Sequence, residues 1–95
     1  MAEPIEHFRI TEHALFEISR RHISEAVVRR VLEAPEQRYP ARPGRDVLQT
    51  RIEVAGKTYL FRVFVDVDRR PAEVVTAYRT SRIAKYWRSD NEGYL

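Results

Sequence analysis

The 95-residue chain has no cysteine. That absence excludes a disulfide framework, a Cys-ligated zinc and a thiol nucleophile, and it fits a reducing cytosol. No apolar run approaches the ~18–20 residues of a membrane span. The opening residues Met1–Arg9 include Glu3, Pro4 and Glu6, so they form neither a basic nor an apolar leader segment, and a cytoplasmic location is expected. Lysine is scarce as well, with Lys57 and Lys85 the only two. The positive charge is therefore carried by arginine, whose planar fork grips phosphate and stacks on rings. An arginine bias also arises from GC-rich coding, so the skew does not identify a partner.

What is present argues for a folded core. Hydrophobic residues make up 43% of the chain against a net charge of +3, far from the profile of a disordered segment. At this length one domain is expected, spanning residues 1–95, with modest stability. The charge is uneven. Residues 69–88 hold six basic groups (Arg69, Arg70, Arg79, Arg82, Lys85, Arg88) against Glu73, whereas residues 11–34 balance four against four. A basic C-terminal third points to a polyanion partner.

The patterning reads α-α-β-β-β-β-α. After a lead-in over 1–10, Thr11 suits an N-cap for a helix over 12–20, with Ala14, Leu15 and Ile18 on its inner side. Ser24 caps a second helix over 25–34, with Val27, Val28, Val31 and Leu32 as its buried stripe and Pro35 as its stop. Tyr39 lies in a Pro-punctuated edge strand or loop. Strands follow over 46–54 and 58–67, joined by a turn at Ala55-Gly56-Lys57. The second of these has the clearest alternation, with Tyr59, Phe61, Val63, Val65 and Val67 against Leu60, Arg62, Phe64 and Asp66. A last strand over 73–79 has Val75 and Ala77 facing one way, with Val74, Thr76 and Tyr78 facing the other. Ser81 is the expected cap of a terminal helix over 82–88, from which Ile83 and Trp87 pack inward while Arg82, Lys85 and Tyr86 point out. Residues 89–95 form a tail.

The expected fold is thus α+β, with two N-terminal helices on one face of a four-stranded antiparallel meander. Two helices cover one face only, so the other must be solvated or bound. By alternation that open face carries Gln49, Arg51, Arg62, Thr76 and Tyr78. Arg62 stands out, because a charge in the middle of an apolar strand must point at solvent or at a partner. As an exposed residue it would contribute less than about 0.5 kcal/mol to stability. Thr76 to Arg82 leave a strand and enter a helix, where free amides, Ser81 and an arginine suit an anion. A plain cap with solvated arginines is the alternative. His7, His13 and His22 match no metal spacing, and no metal or other cofactor is expected. His13 is a candidate acid or base by its near-neutral pKa, or simply an exposed helical histidine.

The stretch Glu12-His13-Ala14, Glu17-Ile18, Arg20-Arg21-His22-Ile23-Ser24, Val28, Leu32 and Pro35 resembles the helical hairpin of a small bacterial family of unknown function. There a His-Ala start leads to an Arg-Gly-Ile-Ser turn and then a proline. Here His22 stands where glycine is usual. Val75-Thr76-Ala77-Tyr78-Arg79-Thr80-Ser81 with Tyr86 resembles the end of BrnT-type toxins, although those usually carry arginine where Tyr78 stands. Both groups are similar to the RelE/ParE-like ribonuclease fold. The resemblance implies a metal-independent endoribonuclease toxin, neutralised by an antitoxin encoded nearby and able to form oligomers. It also implies Arg62, Tyr78, Arg79 and His13 as catalytic residues; the open face, the strand exit and the basic strip of the terminal helix make Arg51, Thr76, Ser81, Arg82 and Lys85 the candidate RNA contacts. The alternative is a non-catalytic RNA- or protein-binding module of the same fold.

Overall fold

The computed structural model describes residues 2–89. Both helices start where their caps require. The Thr11 and Ser24 hydroxyls accept from the amides of Ala14 and Val27, three residues on. The first helix, α1 (Glu12–Arg20), and the second, α2 (Glu25–Glu33), follow a short strand β1 (Phe8–Ile10). Four longer strands come next: β2 (Gln37–Arg42), β3 (Arg45–Val54), β4 (Lys57–Asp66) and β5 (Ala72–Thr80). A single helical turn, α3 (Ile83–Tyr86), ends the order.

The strands form one five-stranded sheet in the order β1-β5-β4-β3-β2. The expected four-stranded antiparallel meander is therefore incomplete. Phe8–Ile10, expected as lead-in, pairs with β5 in parallel and makes the sheet mixed. Three residues are too few to show a period, and the partner strand lies more than 60 residues away.

The expected hairpin turn and the β3–β4 pairing are present. Ala55 and Gly56 both have positive φ (52° and 81°), as a two-residue hairpin turn with the twist of the strands requires. The register then runs without interruption from Val54↔Lys57 to Arg45↔Asp66. In the β2–β3 turn, Gly44 has φ 82°, so an L-residue there would be strained, and its Cβ would also have to push Asp68 Oδ2 aside from 2.8 Å.

The core lies between the helices and one face of the sheet. Ile18, Val28, Val31 and Leu32 meet Leu48, Ile52, Phe61, Val63, Val65, Val74 and Ala77 there. Two details depart from the sequence pattern. Leu15 is 37% exposed, because Ala14 and Ile18, one turn apart, already fill the contact. On β5, Val74 joins the core instead of Val75. Val65 pairs with Val74 and Phe64 with Thr76, so one extra residue sits between two rungs and shifts the alternation.

Helix α1 ends in a tight reversal. His22 N–H donates to Ser19 O (3.1 Å) and Ile23 N–H to Ile18 O (2.8 Å), the paired bonds of a left-handed C-terminal cap. His22 takes the left-handed position with φ 58°, a conformation that glycine adopts at no steric cost. An L-residue there costs about 1–2 kcal/mol, and glycine would lose about 0.5–1 kcal/mol of that through its freer unfolded chain. His22→Gly should therefore stabilise by about 0.5–1 kcal/mol and raise Tm by a few degrees. His22→Ala should give no gain. Thermal melts of the three proteins check this; an equal gain in both variants would place the strain in the imidazole and not in the backbone.

Candidate functional site

On the face away from α1 and α2, strand register lines up Gln37, Gln49, Arg62 and Tyr78 as one row across β2, β3, β4 and β5. Tyr39, Val47, Phe64 and Thr76 form the next row. Successive side chains alternate between faces, so each row is set by the core opposite.

This face is covered, contrary to the expectation of an open surface. Arg62 is only 6% exposed and Gln49 is fully buried. The cover is the segment after β5, with α3 and the residues following it. Tyr86, expected to point outward, lays its ring 4.3 Å from the Arg62 guanidinium carbon. Phe64 and Tyr78 add two more ring faces, at 5.3 and 5.7 Å.

Arginine stays charged at any ordinary pH, so the protein must solvate the buried cation rather than neutralise it. It does so with neutral groups. Arg62 Nε donates to Gln49 Oε1 (2.8 Å), Nη1 to the Tyr78 hydroxyl (2.7 Å) and Nη2 to the Tyr39 hydroxyl (2.7 Å). Each buried side-chain nitrogen thus has a partner. A guanidinium has five N–H groups, however, and these bonds engage three. The other arginine pairs of the described residues use carboxylates, such as Arg45–Asp66 and Arg51–Glu36; Arg62 has none among them.

The network continues outward. The Tyr39 hydroxyl donates to the Tyr86 carbonyl (3.2 Å), and Gln49 Nε2 donates to the same oxygen (3.1 Å) and to Gln37 Oε1 (2.8 Å). The Gln37 side-chain amide in turn clasps Arg88, accepting from its N–H (3.0 Å) and donating to its carbonyl. Burial pushes the Tyr78 phenol above its ordinary pKa, with Arg62 opposing. The Tyr86 phenol is held below its ordinary value, first by the hydrogen bond to Tyr78 and then by Lys85 and Arg62.

The other expected site residues are dispersed. Arg79 is paired across from Phe61, on the helix-bearing face, and lies over the Tyr59 ring at 4.4 Å. It cannot join Arg62 and Tyr78. His13 is exposed in the first turn of α1. Thr11 ties that end of the helix to Val74, while Arg21 at the other end reaches Ala77 O, toward Arg79. His13 and Arg79 are thus at opposite ends. The Thr76 hydroxyl accepts from Arg21 Nη1 (3.1 Å), not from Arg62. Arg51 is gripped by both oxygens of Glu36, which hold its pKa up while Arg51 holds the Glu36 carboxyl down, and its guanidinium carbon sits 4.0 Å from the Trp87 ring centre.

The expected helix over 82–88 is one turn long, and Ser81 does not cap it. Four residues align too few amides to hold an anion there, so Ser81, Arg82 and Lys85 are exposed residues of the covering segment. The basic third of the sequence is split between the two faces and the β4–β5 turn. Gln37, Tyr39 and Tyr86 were missed as site residues. The period-two relation of Gln37 and Tyr39 to the Arg62 face was the available signal.

A family model described as Domain of unknown function (DUF4258) matches residues 10–79. The chain belongs to this family. No curated protein sequence and no solved structure matches it. The matched span of this DUF4258 chain holds the whole row from Gln37 to Tyr78 and stops before the covering segment. Among the described residues no helix is long and apolar enough to cross a membrane, and no cluster of His, Asp or Glu could hold a metal ion.

Burial reverses the expected cost of removing Arg62. Arg62→Ala should lose about 2–4 kcal/mol, because Gln49, Tyr39 and Tyr78 lose a charged donor and a cavity opens. Thermal denaturation should show Tm lower by at least about 8 °C. Arg62→Met, apolar and similar in length, should recover part of that loss. Equal losses in both would assign the effect to charge alone.

Proposed function

We propose that this domain acts on RNA as the cleaving component of a bacterial toxin–antitoxin pair, working without a metal and held in check by a protein encoded nearby. The observation that carries the reading is Arg62, a buried cation with no carboxylate among the described residues and two N–H groups to spare. Such a group is preorganised for a phosphate, whose transition state gains charge as the 2′-hydroxyl attacks. The BrnT-like and RelE-like resemblance of the flanking motifs supports the same class.

The chemistry needs no group beyond the side chains and water. The 2′-oxygen forms a bond to phosphorus, the bond to the 5′-oxygen breaks, and a 2′,3′-cyclic phosphate and a free 5′-hydroxyl result. Arg62 stabilises the equatorial oxygens. Tyr78, kept protonated by its burial, suits donation to the departing 5′-oxygen. The 2′-proton passes to water as the 2′-oxygen attacks. His13 and Arg79 have no part in this arrangement.

A second reading is a non-catalytic RNA- or protein-binding module, favoured by the cover over Arg62 and by the separation of His13 and Arg79 from it. Purified protein should cut RNA, alone or with ribosomes. Tyr78→Phe should lower the rate by about 100-fold or more at a temperature where it stays folded, while Tm falls by about 4–16 °C because Arg62 loses one of its three acceptors. Undiminished cutting by Tyr78→Phe would remove Tyr78 from the chemistry. Salt-dependent binding by a wild type that never cuts would establish the module instead.

A further inference from the structure

The segment Ser81–Arg88 closes the Arg62 face, yet no residue of its α3 turn is fully buried. Its hold is made of rings and single hydrogen bonds. Gln37 clasps the Arg88 backbone, the Arg88 guanidinium carbon sits 3.6 Å from the centre of the Tyr39 ring, and Trp87 stacks on Arg51. It has no strand ladder to hold it, only these side-chain contacts, so its opening is favoured over that of the hydrogen-bonded strands beneath.

The Tyr86 carbonyl occupies a particular position. Two donors from different strands, the Tyr39 hydroxyl and Gln49 Nε2, converge on that one oxygen. Both residues also accept from Arg62, Gln49 through Oε1 and Tyr39 through its hydroxyl. An oxygen held by two donors beside an uncompensated guanidinium is in the place a phosphate oxygen would take. The carbonyl supplies the acceptor but not the negative charge.

We propose that Ser81–Arg88 is a strap that keeps the Arg62 site shut, with the Tyr86 carbonyl standing in for a phosphate oxygen, and that a phosphate-bearing strand binds only by displacing it. The proposal rests on the RNA reading for its ligand. Its coupling is reciprocal: whatever loosens the strap tightens binding, and binding loosens the strap by the same factor. Gln37 and Trp87 are the grips that touch neither Arg62 nor the reacting groups.

The test uses the full chain. Trp87 is the only tryptophan, so its fluorescence reports the strap. An eight-nucleotide single-stranded RNA should shift the Trp87 emission. It should also speed hydrogen exchange at the Trp87 and Arg88 amides, which donate to Ile83 O (2.8 Å) and Gln37 Oε1. Gln37→Ala should bind this RNA about five- to tenfold more tightly than wild type, the equivalent of ~1–1.4 kcal/mol of strap closure. Trp87→Ala, followed by hydrogen exchange, should do the same. Inorganic pyrophosphate should give the exchange response with weaker affinity, since it offers the charge without the strand. Slower exchange on RNA binding would overturn the proposal, as would affinities unchanged in both variants. RNA cleavage with strap-insensitive binding would sink the strap alone. Tighter binding by the variants without any cleavage would sink the ribonuclease reading alone.

Discussion

A guanidinium that cannot lose its proton, held where water is excluded, constrains everything on its face of the sheet. Arg62 needs acceptors on three sides, and the fold supplies them from three strands, as Gln49, Tyr78 and Tyr39. It needs polarisable surface above, supplied by Tyr86. A lysine in this place could shed its charge, and a carboxylate partner would cancel it. With neither, the charge is stabilised only by dipoles and ring faces, and its electrostatic attraction for an anion remains.

The two faces of the sheet consequently differ in kind. The helix-bearing face is an apolar core filled by branched aliphatics from α1, α2 and four strands. Its stability comes from area removed from water. The opposite face has a narrow apolar floor, with Val47 and Leu60 fully buried, and is otherwise polar and aromatic. Such networks depend on every member being matched, so they specify one arrangement and tolerate little substitution.

Much of this was legible in the residues. Thr11 and Ser24 located both helix starts, Ala55-Gly56 located the hairpin, and alternation put Arg62, Gln49 and Tyr78 on one face. That the face is buried was not legible, because its cover is a nearly irregular segment without a period, held by side chains of strands far back in the chain. Strand β1 was too short to show a pattern. The bulge that exchanges Val74 for Val75 leaves the composition of the strand unchanged. The grouping of Arg79 with Tyr78 is a different matter. Adjacent residues in a strand face opposite ways, so the alternation alone argued against it; the family resemblance had joined them.

The row Gln37, Gln49, Arg62 and Tyr78 has one more consequence, for how the chain finds its pairing. Its members come from four strands, and they meet only if all three antiparallel registers are correct. A slip of β4 by one residue would turn Arg62 into the aliphatic core, where nothing can solvate it. The same slip would bring Phe61 and Val63 to the polar face. The charge that makes this face costly to bury therefore also acts as an alignment pin, penalising misregistered sheets before any partner arrives.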